Sequence, residues 1–328
     1  MDIEERIIRT VAYFDLSDYP LTRAEISRWL IPEEPRTKNR FPSLDETDRG
    51  LTDLISKGVL KEERGLLSAA DREGLPAMRE ERFRFSARKW KRARRWAAAF
   101  AAVPGVELVG IGNTLAYNNA KDGSDIDFFI VAAPGTIWRT RIFCAGLAAL
   151  FNLRPRSGDN RDKLCLSFFV TSEMLDLSVI ARIPDASVGA MKQSPGNRVA
   201  SSESREARDG GNIEDVYLHY WLRQLVPLAG RAETAAAFRA ANGGWAERGF
   251  AGKAGMWRWL FRPVGWLPGN FLKGAQGKRF PRILREAEKR NDGSVVISDK
   301  MLKFHVVDRR AEVRERWERR VEFLMSNF

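Results

Sequence analysis

The sequence predicts an α+β protein: a mixed sheet with helices in the middle of the chain, a helical N-terminal part that ends in a pair of strands, and a helical C-terminal part. Three observations carry this reading. Apolar, β-branched and aromatic runs at 106–111, 126–131 and 163–171 read as buried strands. Apolar residues recur at helical spacing through most of 3–57, and again from 213 onward. The length of 328 residues suits two or three domains, and a hydrophobic content of 44% is enough for packed cores. The boundaries fall at 1–103, 104–185 and 213–328, with a connector at 186–212.

In the N-terminal part, Ile3, Ile7, Ile8, Val11 and Phe14 share one helix face, and 15–20 ends that helix. Thr22 followed by Glu25 has the pattern of a capping box ahead of Ile26, Trp29 and Leu30. A loop rich in proline and charge spans 32–42. A third helix covers 44–57, with Leu51, Leu54 and Ile55 inward, and Gly58 ends it. A strand is expected from Val59 to Glu62, and the alternation Arg82-Phe83-Arg84-Phe85 reads as its return partner. Three helices and a hairpin are the layout of a winged helix. Its third helix carries Asp45, Glu46, Asp48 and Asp53, acids that would repel nucleic-acid phosphates.

A basic helix follows at 86–103. Trp90, Ala93, Ala97 and Phe100 form one face, and Arg88, Lys89, Lys91, Arg92, Arg94 and Arg95 fill much of the rest. Two readings stand: a nucleic-acid-binding stripe, or a linker helix whose aromatic residues pack between domains. After the central strands, Pro134-Gly135 turns into a helix near Thr136, with Trp138, Ile142 and Leu147 on the sheet and Arg139 and Arg141 in its first turns. The connector 186–212, rich in Ser, Gly, Arg and Glu, has the composition of a disordered segment. Helices are expected at 216–226, 232–246, 282–290 and 310–325. The aromatic and basic stretch 256–271 reads either as a membrane-surface segment or as a cover for the helical bundle.

Composition excludes several classes. Two cysteines, Cys144 and Cys165, lie in apolar runs and read as buried free thiols of a reducing compartment; with two histidines far apart they form no zinc motif. The start has no signal-peptide shape, and the longest apolar stretch, 142–153, is shorter than the roughly 20 residues that span a bilayer, so a cytoplasmic chain with no integral membrane segment is expected. A net charge of +12 favours an anionic partner: a nucleotide, a nucleic acid or an acidic membrane surface. The chain has no P-loop, GxGxxG, HExxH or nucleophile elbow.

The chemistry concentrates at Ser124-Asp125-Ile126-Asp127. Side chains alternate across a strand, so Asp125 and Asp127 project from one face. Like charges this close are unfavourable unless a cation or hydrogen-bond donors offset them, and Mg²⁺, a hard ion, prefers oxygen ligands. Upstream, the strand 106–111 ends at Gly112-Asn113-Thr114-Leu115-Ala116, and Lys121-Asp122-Gly123 makes a turn before the two acids. In this succession of strand, short helix and Asp-x-Asp strand, the chain resembles the nucleotidyltransferase superfamily (DNA polymerase beta-like). It is most like a bacterial group of uncharacterised nucleotidyltransferase-domain proteins, through NTLAYNNA, SDIDFFIV, PGTIWRTR and KLCLSFFV. The resemblance implies a nucleotidyltransferase-fold core between a winged-helix-like and a helical domain. It implies that Asp125 and Asp127 are catalytic and hold Mg²⁺, and that Asn113, Thr114 and Ser124 contact the nucleotide. The implied reaction moves a nucleoside monophosphate from an NTP to an acceptor of unspecified class: small molecule, protein or nucleic acid. Two features depart from the pattern. Its Gly-Ser is Asn113-Thr114 here, although Asn tolerates positive φ and Thr keeps a hydroxyl that could meet phosphate with nearby N–H groups. Its third carboxylate, expected on the strand 163–171, is missing from Cys165-Leu166-Ser167-Phe168-Phe169, and Asp162 is the nearest acid. The second departure supports an alternative: a catalytically weak or inactive nucleotide-sensing regulator that binds nucleic acid or a protein partner.

Overall fold

The computed structural model describes residues 1–32, 42–156, 158–181, 215–242, 272–274, 276–277, 280–290 and 293–328. The expected connector at 186–212 and the aromatic stretch at 256–271 lie outside these residues. The chain divides into two compact units. One comprises Met1–Glu81, Ser187–Tyr220 and Arg309–Phe328, the other Arg82–Ala186 and Trp221–Asp308.

The first unit begins with α1 (Ile3–Asp15), α2 (Arg23–Trp29) and α3 (Leu44–Ser56). Each has a side-chain N-cap, from Asp2, Thr22 and Ser43, and the last two are full capping boxes with Glu25 and Glu46. Ile7, Ile8, Phe14, Ile26, Leu51 and Leu54 are fully buried, as their spacing requires. A hairpin follows, β1 (Leu60–Glu63) and β2 (Leu66–Ala69). The return strand is therefore Leu66–Ala69, not the expected Arg82–Phe85. The reason is the turn: Arg64 and Gly65 both have positive φ, 55° and 73°, which closes a two-residue loop whose twist matches the strands. Arg82–Phe85 instead lies within α4 (Leu75–Ala101), a helix begun earlier than expected, and Phe83 is exposed. Four alternating residues set among good helix formers follow the helix. The chain's final helix, labelled α11 (Arg310–Ser326), packs on α1; Trp317 Nε1 donates to the Arg9 carbonyl at 2.8 Å, and Arg320 meets Asp15 at 2.7 Å and Asp71 at 2.6 Å.

The second unit is built on a six-stranded mixed sheet. In chain order its elements are β3 (Val106–Ile111), α5 (Asn113–Ala116), β4 (Ile126–Ala132), α6 (Ile137–Leu150), β5 (Leu164–Thr171) and α7 (Ser178–Ala181). Then come α8 (Val216–Gln224), which belongs to this unit only from Trp221 on, β6 (Val226–Gly230), α9 (Ala232–Asn242), α10 (Arg282–Lys289), β7 (Val295–Ile297) and β8 (Met301–Phe304). The strand order is β6-β3-β4-β5-β8-β7, with β4 and β5 parallel and every other pair antiparallel. The part beyond 213, read as helical, thus also supplies three strands. β6 was hidden by Pro227, a residue tolerated because β6 is an edge strand. On one sheet face Ile126, Phe128, Ile130, Leu164 and Leu166 join Trp90, Ala93, Ala97 and Phe100 of α4 and Ile137, Cys144 and Ala148 of α6 in a single core. The opposite face bears the acids.

Candidate functional site

The site lies where β3 and β4 end beside α5. After Gly112 the backbone turns left-handed at Asn113, with φ +56°, a conformation that Asn accepts at small cost. A Cβ on Gly112 would stand 3.1 Å from Trp221 Nε1, so the bare glycine lets the indole of α8 lie on the turn. Trp221 Nε1 donates to Asn113 Oδ1 at 3.0 Å, and the Asn113 side-chain amide in turn donates to Asp127. The indole is also edge-on to Phe129 at 5.7 Å and beside Phe168 at 5.5 Å.

Asp125 immediately precedes β4 and Asp127 is its second residue; both are half-buried. Across the parallel pair, Asp127 stands opposite Cys165. One ligand atom from each of Asp125, Asp127 and Cys165 can be chosen so that all lie within 4.8 Å of one another. Burial holds the Asp125 carboxyl above its ordinary range, against the pull of its own backbone N–H, the Lys89 charge and the Cys165 thiol. Asp127 is pushed up to about 6 by burial and by the charge of Asp125, which outweigh its bonds from Asn113 and Cys165. Burial and the same two acids push the Cys165 thiol up as well. The cluster therefore favours a bound positive charge or a shared proton.

One face of α4 holds the loop that carries the acids. Lys89 is fully buried, and its Nζ donates to the Ser124 carbonyl at 2.6 Å, the Asp122 carbonyl at 2.9 Å and Asp162 at 2.7 Å. Arg82 donates to Asn119 Oδ1 at 3.1 Å, Trp90 Nε1 to Asn118 Oδ1 at 2.7 Å, and Ser86 Oγ accepts from the Ala120 N–H at 3.1 Å. Residues 82, 86, 89 and 90 recur at helical spacing, so part of the basic helix is a clamp within this unit. Lys91, Arg94 and Arg95 remain exposed.

The residues singled out from the sequence meet different fates. Asp125, Asp127 and Asn113 come together. Thr114 follows on α5, half-buried; α5 is one turn of four residues, too short to offer a helix dipole. Ser124 turns its Oγ to the Lys121 carbonyl at 2.9 Å, within its own turn. Asp162, the acid nearest the strand that lacks a carboxylate, does not join the pair. Burial raises its pKa, but Lys89 and Arg88 outweigh that and hold it below the ordinary range as their counter-ion. Sequence reasoning placed Cys165 and Ser167 on the strand beside the acids but gave them no role, and it missed Trp221 and His305 as neighbours. The alternation of Cys165 and Ser167 along β5 was a usable signal; nothing local pointed to Trp221 or His305.

No family model matches the chain, and neither a curated protein nor a solved structure matches it significantly.

Proposed function

We propose that this chain binds an NTP with Mg²⁺ and transfers the nucleoside monophosphate to an acceptor hydroxyl or similar group, with release of pyrophosphate. The observation that carries this reading is the Asp125–Asp127 pair: two half-buried carboxylates on one strand end, both raised by burial, with Asp127 raised further by the charge of Asp125 and braced by Asn113. This donor set suits a divalent cation bound through oxygen. Cys165, opposite Asp127, adds a soft sulfur that a hard ion such as Mg²⁺ does not prefer, so the two carboxylates are the ligands of this proposal. When bound, Mg²⁺ supplies charge neutralisation and alignment of the phosphates. The rest falls to side chains. Asn113 spends its amide on Trp221 and Asp127, so it fixes the Asp127 carboxylate and offers the nucleotide only its backbone. Thr114 offers a hydroxyl from the next position. Lys89 fixes the carbonyl of Ser124 and so the direction from which Asp125 leaves the turn.

A second reading, a nucleotide-sensing regulator without turnover, is favoured by one observation: Cys165 and Ser167 stand on β5 where a third carboxylate was expected. Isothermal titration with each NTP, with and without Mg²⁺, tests what the two readings share. The double substitution Asp125→Asn, Asp127→Asn is expected to abolish Mg²⁺-dependent binding and leave the fold intact. Unchanged Mg²⁺-dependent affinity in that variant defeats both readings. Pyrophosphate release separates the transferase from the sensor.

A further inference from the structure

The face that bears the acids carries a second constellation across β5 and the end of β8. Between Asp127 and Phe129 on β4, the partner strand β5 runs from Cys165 to Phe168, one residue longer. Such a bulge re-aims side chains. Here it accompanies a line of polar contacts leading away from the carboxylates. Cys165 stands opposite Asp127, Cys165 Sγ is 3.3 Å from Ser167 Oγ, and Ser167 Oγ is 3.1 Å from His305 Nε2. His305 lies 138 residues from Ser167 in sequence. It is placed by β8, whose Lys303 pairs with Phe168, and by its own N–H, which donates to the Ser294 carbonyl at 3.1 Å. Phe168 sits edge-on to the imidazole at 6.1 Å. Burial and the Lys303 charge hold the imidazole down at about 4, against the pull of Asp308, so it is neutral at pH 7 and a weak base until a nearby negative charge raises it. A hydroxyl within hydrogen-bond reach of a neutral imidazole, itself held by packing, is the arrangement of an activated nucleophile and its base.

We propose that Ser167 is a nucleophile with His305 as its base, and that the protein nucleotidylates itself at Ser167. The proposal rests on the reading of Asp125 and Asp127 as the nucleotide site. Ser167 Oγ attacks the α-phosphorus of the NTP. The new O–P bond forms as the α–β bridging P–O bond breaks, pyrophosphate leaves with that electron pair, and the serine proton passes to His305 Nε2 and on to solvent. The product is a phosphodiester between Ser167 and the nucleoside. The triphosphate's negative charge, as it arrives, raises the basicity of the imidazole when a base is needed. The hydroxyl so modified stands on the strand from which a third carboxylate would have come.

The test uses the full chain, incubated with each of the four NTPs in turn and Mg²⁺ or Mn²⁺, followed by intact-mass spectrometry and peptide mapping. The wild type is expected to gain the mass of one nucleoside monophosphate, located at Ser167. Ser167→Ala should gain none. His305→Gln, which keeps a polar side chain of similar reach, should slow the gain at least about 100-fold, the scale of general-base catalysis. Titration should show Mg²⁺-dependent NTP binding retained in both variants, and circular dichroism an unchanged fold. Three results overturn the proposal: no adduct on wild type that binds Mg²⁺-NTP, an adduct at another residue, or wild-type rates in His305→Gln. Failure of the wild type to bind any NTP overturns the nucleotide site itself and this proposal with it.

Discussion

Replacing Asp127 by Asn removes a charge that the fold holds at a cost. In the unfolded chain this carboxyl titrates at its ordinary 3.8; in the folded protein burial and Asp125 push it up to about 6. A group with a raised folded pKa stabilises the fold fully below the unfolded value, and that contribution is lost as pH rises through the folded one. At neutral pH the wild type therefore carries Asp127 ionised against its environment. At about 1.4 kcal/mol per pH unit, the rise corresponds to about 3 kcal/mol, reduced to about 2 by the side chain's partial exposure. Asn has nearly the same shape; its oxygen can still accept from Asn113, and its NH₂ can donate to Asp125. Asp127→Asn is thus expected to stabilise the metal-free protein by about 2 kcal/mol at about pH 8, and by almost nothing at about pH 4. Urea unfolding in the presence of a chelator measures both points. Adding Mg²⁺ should narrow the gap, because only the wild type gains from a bound cation. An equal gain at both pH values, or destabilisation at the higher one, refutes the electrostatic account. An equal gain would mean that ionisation of Asp127 is not its source; destabilisation would mean that the bonds from Asn113 and Cys165 outweigh burial and repulsion.

Lys89→Met removes three bonds of a fully buried ammonium and leaves Asp162 beside Arg88 alone; a loss of about 3 to 5 kcal/mol is expected in urea unfolding, and a loss under about 1 would show that the 113–124 loop is held by other means. Gly112→Ala places a methyl 3.1 Å from Trp221 Nε1, so it should cost about 1 to 3 kcal/mol and shift the tryptophan emission; an unchanged spectrum and stability would show that the indole does not lie on this turn. Burial pushes the thiols of Cys144 and Cys165 above their ordinary range, so alkylation of the native protein at about pH 8 should be at least about 10-fold slower than in urea; fast native labelling of Cys165 would contradict its protonated state beside the two acids.

What the sequence determined by itself is local. Ile7, Phe14, Leu51 and Leu54 announced their helices because a helix repeats every 3.6 residues, and Thr22 with Glu25 announced an N-terminus because orphan N–H groups need an acceptor. Asp125 and Asp127 shared a face in the sequence because a strand alternates. The same local logic failed at Arg82–Phe85, where four alternating residues were outvoted by the helix around them, and at β6, where Pro227 disguised an edge strand. The tertiary structure alone decided the rest. Strand order is chosen by which edges bury together, and no periodicity reports it. It is the parallel pairing of β4 with β5 that sets Cys165 opposite Asp127, and the antiparallel pairing of β5 with β8 that brings His305 to Ser167. A buried lysine on α4 and an indole on α8 then hold the acidic turn, through contacts between residues that are neighbours only once the chain has folded.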